Sequence, residues 1–278
     1  ERETGFYNNK IEPRSFHSIE QSYVDIIIKR GNLQGENFYY KHIPDKIKYL
    51  FPIYYGGDDN TLRIEKIQGI TLSDLYLSEL LTENILVDLL NNLMLIQSQN
   101  DYNQSENINI YNNYNKKLKK RYEEYDYTPF ENSEEIYFSL LNKLETYEES
   151  GLGIKKVIHG DPVFSNFILD KSNNIKFIDM RGKIGDKLTI YGDWLYDWAK
   201  VYQSLIGYDE ILLSKNIDKN YKEKFIHYFQ KYFLKHFSKN DFLILKIITQ
   251  SFLFSLIPLH DNDKCKQYFN LINSEYLI

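Results

Sequence analysis

Hydrophobic and polar positions change their period twice along this chain. Through the first 70 residues the apolar runs are short and β-branched. Tyr23–Lys29 reads YVDIIIK and is followed by Arg30-Gly31-Asn32, the pattern of a strand and then a turn. Asn32–His42 predicts a short helix closed by Ile43-Pro44. Leu50–Tyr55 and Leu62–Ile67 predict two more strands around the turn Gly56-Gly57-Asp58-Asp59. After Gly69 the spacing becomes helical, over about 73–81, 83–99, 108–125 and 132–148. Thr71 with Asp74 is a capping-box signal at the first of these. The pattern breaks again at 156–159, a short strand, and at 167–169 and 175–178, a hairpin around Lys171–Asn174. It then returns to helices over about 193–206, 218–237, 239–256 and 262–274, with a second capping box at Ser238 and Asp241. The fold class is therefore α+β: a small β-rich N-terminal lobe, residues 1–68 with its linker, and a large mainly helical lobe, 69–278. Ligand sites favour the cleft between two such lobes.

Composition narrows the partners. The 278 residues carry a net charge of −5, with 42% hydrophobic and 26% charged residues, the balance of a soluble globular protein. The densest basic run, KKLKKR at Lys116–Arg121, is followed by Glu123 and Glu124 and reads as a solvated helical face. No nucleic-acid partner is expected. The single cysteine, Cys265, cannot form an internal disulfide, which points to a reducing, cytoplasmic compartment. Residues 1–20 lack the apolar core of a signal peptide. The long apolar stretch Phe242–Leu259 contains Lys246, Gln250 and Pro258 and suits a buried helix better than a membrane span.

The chemistry concentrates in Val157–Gly182, VIHGDPVFSNFILDKSNNIKFIDMRG. Asp161 follows a predicted strand, Asn166 lies across a loop from it, and Asp179 ends the next hairpin. One carboxylate that orients a hydroxyl, with two hard oxygen ligands for Mg²⁺, is the set that phosphoryl transfer needs. No Cys/His cluster for zinc, no GxSxG elbow, no P-loop and no GxGxxG is present.

This run resembles the HGDxxxxN…ID motif of the aminoglycoside phosphotransferases, choline kinases and their relatives, which share the bilobal protein-kinase-like fold. The resemblance implies Asp161 as catalytic base, Asn166 and Asp179 as metal ligands, and His159 as a brace for the catalytic loop. It implies a phosphate-contacting lysine and a glutamate that fixes it. Lys29, at the end of its strand, and Glu36, on the following helix, are the candidates. Ser15–Ser22 would cover the phosphates in place of a glycine-rich loop. Leu62–Leu72 resembles the interlobe linker, with the backbone of Glu65 and Ile67 at the adenine edge. Gly192–Ala199 resembles the segment after the metal-binding aspartate, where Asp193 is expected to cap the next helix and to hydrogen-bond the catalytic loop. Trp194 and Trp198 share one helical face and read as core.

The resemblance thus implies a kinase that moves a phosphoryl group from ATP or GTP, with Mg²⁺, to a hydroxyl of a small molecule. Met180-Arg181-Gly182 departs from the aromatic-then-acidic pattern common in that family and resembles a branch of bacterial surface-polysaccharide gene products, which implies a sugar or amino alcohol acceptor. Arg181 either binds an anionic substrate or phosphate or pairs with an acidic neighbour. His260 and Asp261 either touch the acceptor or mark a helix break, the simpler reading. Two other functions fit the same letters: an aminoglycoside-resistance kinase, with the glutamates of Glu131–Glu149 lining its acceptor pocket, and a catalytically silent kinase-like module.

Overall fold

The computed structural model describes residues 18–23, 25–99, 107–260 and 262–278. A four-stranded antiparallel sheet forms from β1 (Ser18–Tyr23), β2 (Ile26–Arg30), β3 (Tyr54–Gly57) and β4 (Thr61–Glu65) in the order β1-β2-β4-β3. The predicted strand Tyr23–Lys29 is in fact two, because the chain turns at Asp25 and Tyr23 pairs back onto Ile26. The predicted strand Leu50–Tyr55 starts at the end of a 3₁₀ turn, Asp45–Leu50, turns extended at Phe51 and joins the sheet only from Tyr54, past Pro52, which has no N–H to give a ladder.

Helix α1 (Gln34–His42) lies on this sheet, with Tyr39 and Tyr40 buried alongside Ile27, Leu62 and Ile64. Asn37 anchors it: its Nδ2 donates to the Asp58 carbonyl at 2.6 Å and the Thr61 carbonyl at 3.0 Å, at the β3–β4 turn. The other side of α1 meets the segment after Asp179 backbone to backbone. A Cβ on Gly35 would run into the Arg181 carbonyl, and one on Gly182 would run into the Gly35 carbonyl. Gly182 also holds φ at +61°, where glycine alone is unstrained.

Strand β5 (Gly69–Thr71) follows, then α2 (Leu72–Leu77), α3 (Glu83–Gln97), α4 (Asn115–Glu124) and α5 (Ser133–Ser150). The Thr71 hydroxyl accepts the Asp74 N–H at 3.0 Å, as the capping signal predicts. Next come β6 (Lys155–Val157), β7 (Phe167–Asp170), β8 (Ile175–Phe177), β9 (Lys183–Ile184), β10 (Lys187–Leu188) and β11 (Tyr191–Asp193). They make a β5-β7-β8 sheet and two short ladders, β6-β11 and β9-β10. Helix α6 (Trp194–Gln203) runs through a wider turn, kinked at Gly207, into α7 (Asp209–Leu213). Helices α8 (Lys219–His236), α9 (Lys239–Leu256) and α10 (Asn262–Ile272) complete the large lobe.

The core of that lobe is aromatic, with Trp198, Tyr202, Phe229 and Phe233 fully buried together. The segment Lys239–Leu259 is long and apolar enough to cross a membrane, but half of its most apolar window is buried inside the protein. Leu245, Ile248, Phe252 and Leu253 are among its buried side chains.

Candidate active site

The loop after β6 carries His159, Gly160 and Asp161, and helix α6 holds it in place. Both carboxylate oxygens of Asp197 accept loop N–H groups, from His159 at 2.7 Å and Gly160 at 2.9 Å. Burial pushes this carboxyl up to about 7 against the pull of those donors. The expectation that Asp193 would bind the loop is therefore corrected by one helical turn. Asp193 occupies the N-cap position of α6, but its side chain makes no capping bond. It accepts instead from the Tyr114 hydroxyl at 2.6 Å, the Tyr147 hydroxyl at 3.0 Å and the Ile154 N–H at 3.2 Å. Asp193 sits where β11 ends and cannot reach the loop that Asp197 faces.

His159 is fully buried, and its Nδ1 accepts the Asp161 N–H at 3.2 Å. Burial holds the imidazole down at about 4, so it is neutral at physiological pH. A histidine depressed in the fold contributes stability above its ordinary 6.5 and loses it as the pH falls through 6.5 toward 4. Replacing His159 with Asn, which keeps an acceptor near the Nδ1 position, is expected to remove roughly 3 kcal/mol of acid-side loss of stability. Asp193 and Asp197 slope the other way. The check is thus the difference between wild type and variant in urea unfolding at pH 7 and pH 4.5; parallel pH profiles would rule the histidine out as the source.

Asp161 itself is half-buried and ion-paired to Lys200 Nζ of α6 at 3.0 Å. Burial alone would raise its carboxyl, but Lys200 and Arg181 outweigh it and hold the group well below the usual carboxylate range. Asn166 donates from Nδ2 to the Asp161 carbonyl at 2.8 Å, which turns its Oδ1 the other way. The Ile178 N–H donates to the Asn166 carbonyl at 3.0 Å and so brings Asp179 alongside. Asp179 holds φ at +62°, a conformation that costs a non-glycine residue about 1–2 kcal/mol and recurs at functional sites.

From the sheet, Lys29 reaches across to this loop. Its Nζ donates to both oxygens of Glu36, at 2.9 and 3.1 Å, and to Asp179 Oδ1. Burial works against the Lys29 ammonium, yet Glu36 and Asp179 hold it well above its ordinary range. Burial in turn pushes the Glu36 carboxyl up while Lys29 pulls it back.

At the linker, the Glu65 N–H is committed to the Ile53 carbonyl at 2.9 Å and its Oε2 to the Ile53 N–H at 3.0 Å. A nucleobase contact at Glu65 is thereby narrowed to the carbonyl oxygen; Ile67 follows β4 in the open chain before β5. Of the segment 15–22, residues 15–17 lie outside the described residues, and the rest forms β1. Asp261 also lies outside them, and the His260 ring packs on Tyr268 of α10 at 4.8 Å. Arg181 donates to the Tyr196 hydroxyl at 2.7 Å and makes no direct ion pair among the described residues, while the Asp161 and Asp197 carboxylates act on it through space.

Four residues escaped the sequence reading: Asp197, Lys200, Tyr196 and Lys117. The first three share α6, and Asp197 and Lys200 stand one turn apart, so the signal was a helix beginning at Trp194 with two charged residues on its loop-facing side. Lys117 lies in the basic run whose pattern predicts a solvated face. Lys116 and Lys120 are exposed and Lys119 pairs with Glu145 at 2.9 Å, but Lys117 turns inward, with its Nζ 5.8 Å from the centre of the Phe252 ring. Of the acidic run on α5, Glu134, Glu135 and Glu149 are exposed, while half-buried Glu145 and Glu148 bond to Lys119 and Asn115 of α4.

Among the described residues no group of three or more His, Cys, Asp or Glu side chains gathers to cage an ion. Asn166 and Asp179 offer two hard oxygens instead, which fits Mg²⁺, an ion that keeps waters and phosphate oxygens in its shell.

No family model matches the sequence, and no curated protein matches it. Solved structures do match. A choline kinase from Streptococcus pneumoniae is 15% identical with a TM-score of 0.61, covering 96% of this chain and 92% of its own. An aminoglycoside 2'-phosphotransferase in complex with GDP is 12% identical with a TM-score of 0.64, covering 96% and 91%. A hygromycin B-bound aminoglycoside phosphotransferase with ADP is 12% identical with a TM-score of 0.65, covering 95% and 93%. The chain has the fold of the choline kinases and aminoglycoside phosphotransferases. In this kinase-like fold the small β-sheet lies N-terminal and the helical part C-terminal, the arrangement found here around Lys29 and Asp161.

Proposed function

We propose that this protein is a Mg²⁺-dependent small-molecule kinase, with a nucleoside triphosphate, ATP or GTP, as donor and a hydroxyl as acceptor. The observation that carries the reading is the reach of Lys29 from the sheet to both Glu36 and Asp179, next to a loop that presents Asp161. An ammonium fixed by a buried carboxylate at the edge of a metal-type aspartate is what a triphosphate requires. The solved structures of the same fold carry GDP, AMP or ADP, which supports a nucleotide co-substrate.

In this scheme residues 1–68 form the nucleotide lobe and 69–278 the acceptor lobe. Lys29 holds donor phosphate oxygens, and the Glu65 carbonyl and Ile67 backbone meet the base. Asn166 and Asp179 hold Mg²⁺, which when bound neutralises charge on the phosphates. Asp161 accepts a hydrogen bond from the acceptor hydroxyl. The acceptor oxygen forms a bond to the γ-phosphorus as the bond to the β–γ bridging oxygen breaks, and the hydroxyl proton passes to Asp161 and on to water. The products are the nucleoside diphosphate and a phosphate ester. Because Lys200 and Arg181 hold Asp161 so acidic, it is a weak base and works chiefly by aiming the hydroxyl; the proton leaves late, when the new bond has formed. His159 and Asp197 are positioning residues. A surface-glycan precursor is the acceptor that the Met180-Arg181-Gly182 resemblance favours, in the cytoplasm.

The test is release of nucleoside diphosphate with Mg²⁺ across sugars, sugar phosphates, amino alcohols and aminoglycosides. Acceptor-stimulated release supports the kinase; failure to bind any Mg²⁺-nucleotide leaves a silent kinase-like module.

A further inference from the structure

The large-lobe side of Asp161 is crowded with positive charge. Lys200 of α6 is buried and touches Asp161 at 3.0 Å. Its Nζ also lies 5.0 Å from the centre of the Phe252 ring of α9, the same ring that Lys117 of α4 faces at 5.8 Å. Arg181 stands 5.3 Å from the ring of Tyr196, and Tyr196 in turn packs on Phe252 at 4.7 Å. Three cations thus surround one pair of packed rings, tilted 57° to each other, beside the proposed catalytic base.

The carboxylates facing them do not balance the set. Asp161 pairs with Lys200 and is also felt by Arg181 and Lys117, so one carboxylate serves three cations. Asp197 spends both oxygens on the loop N–H groups. Arg181 makes no ion pair, and Lys117 has neither a hydrogen bond nor an ion pair among the described residues. Arg121, one turn further along α4, adds a fourth positive charge to the field at Lys117. Burial first, and then Arg181 and Lys200, push the Lys117 ammonium well below its ordinary range. A half-buried lysine among like charges is an arrangement that an anion relieves.

We infer that the acceptor carries an anionic group, a phosphate ester or a carboxylate, beside the hydroxyl that is phosphorylated, with Lys117 and Arg181 as its recognition residues. This rests on the kinase reading above. A choline or an aminoglycoside would bring more positive charge to a site already rich in it, and the half-buried carboxylates of α5 are spent elsewhere, Glu145 on Lys119 at 2.9 Å and Glu148 on the Asn109 and Asn115 side-chain amides at 3.2 and 2.8 Å. The donor's own phosphates are the competing anion, but they are served by Lys29 and by Asn166 and Asp179. Lys117 and Phe252 come from α4 and α9, which pack chiefly on α5, α6 and α10. With a phosphate ester as acceptor the product is a bisphosphate, formed with the nucleoside diphosphate and one released proton.

The experiment is calorimetric titration of the full chain, first with Mg²⁺-ADP, then, at saturating Mg²⁺-ADP, with matched pairs: glycerol 3-phosphate and glycerol, ribose 5-phosphate and ribose, glucuronate and glucose, together with choline and kanamycin. At least one charged member is expected to bind about tenfold or more tighter than its neutral partner. Lys117→Met, which keeps the aliphatic stem over Phe252, should cut that preference to about threefold or less, and Lys117→Arg should retain it. Charged members that bind no better than neutral ones, or not at all, overturn the inference, as does tighter binding of choline or kanamycin. A Lys117→Met protein that loses affinity for Mg²⁺-ADP instead assigns the cluster to the nucleotide and overturns it equally. Failure of the first titration removes the kinase reading itself; normal nucleotide binding with indifferent acceptors removes only the inference about charge.

Discussion

Asn in place of Asp161 is expected to lower kcat about a hundredfold to ten-thousandfold, the range typical of removing a proton acceptor aimed at the reacting group. The change keeps the volume and one carbonyl oxygen, so the loop should survive. The loop's hold on α6 runs through the His159 and Gly160 N–H groups to Asp197, not through the Asp161 side chain. Loss should therefore fall on turnover, measured as acceptor-stimulated release of nucleoside diphosphate, while calorimetry still finds Mg²⁺-nucleotide binding. A variant that keeps half the wild-type turnover would remove Asp161 from the chemistry. A variant that loses both turnover and nucleotide binding would mean the loop had collapsed, and the experiment would then rest on Lys200→Met, which leaves Asp161 in place without its partner.

Met at position 29 should be costly twice over. Glu36 is buried, and Lys29 is the cation that its two oxygens share at 2.9 and 3.1 Å. Removing one partner of a buried ion pair costs about 3–5 kcal/mol, because the remaining charge has neither water nor a counter-ion. Urea unfolding should register that loss, and turnover should vanish with the phosphate contact. The double variant Lys29→Met, Glu36→Gln separates the two effects. With the charge gone from both partners most of the stability should return, whereas activity should not. Recovery of turnover in the double variant would confine Lys29 to a structural role.

The parts of this molecule that could be read from its letters are those whose partners lie close in sequence. Asp161, Asn166 and Asp179 fall within one loop and one hairpin, so spacing groups them, whereas Lys29 and Glu36 are paired only by the family resemblance. The two capping signals mark their helix starts, Ser238 and Asp241 as the full reciprocal box and Thr71 through its bond to the Asp74 N–H. What was hidden depends on contacts across the chain. Strand β5 and the β9–β10 ladder have two or three residues each, too few to show a period. Asp193 and Asp197 stand one turn apart on the chain, and only the packing of α6 decides which meets the loop. In NKKLKKRYEE of α4 only Leu118 and Tyr122 are apolar, too short a stripe for periodicity to say that Lys117 would face Phe252.

The backbone contact between Gly35 and Gly182 has a bearing on control. In many kinase-like enzymes the helix that carries the glutamate can swing outward, breaking the lysine–glutamate pair and switching the enzyme off. Here the first turn of that helix carries a glycine, Gly35, pressed against Gly182 in the segment after Asp179, and Asn37, tied to the β3–β4 turn. Moving it would break both attachments at once. Under the proposed kinase function this bracing keeps the Lys29–Glu36 pair made, so throughput in the cell would be set by how much protein is made and how much acceptor arrives, not by a conformational brake.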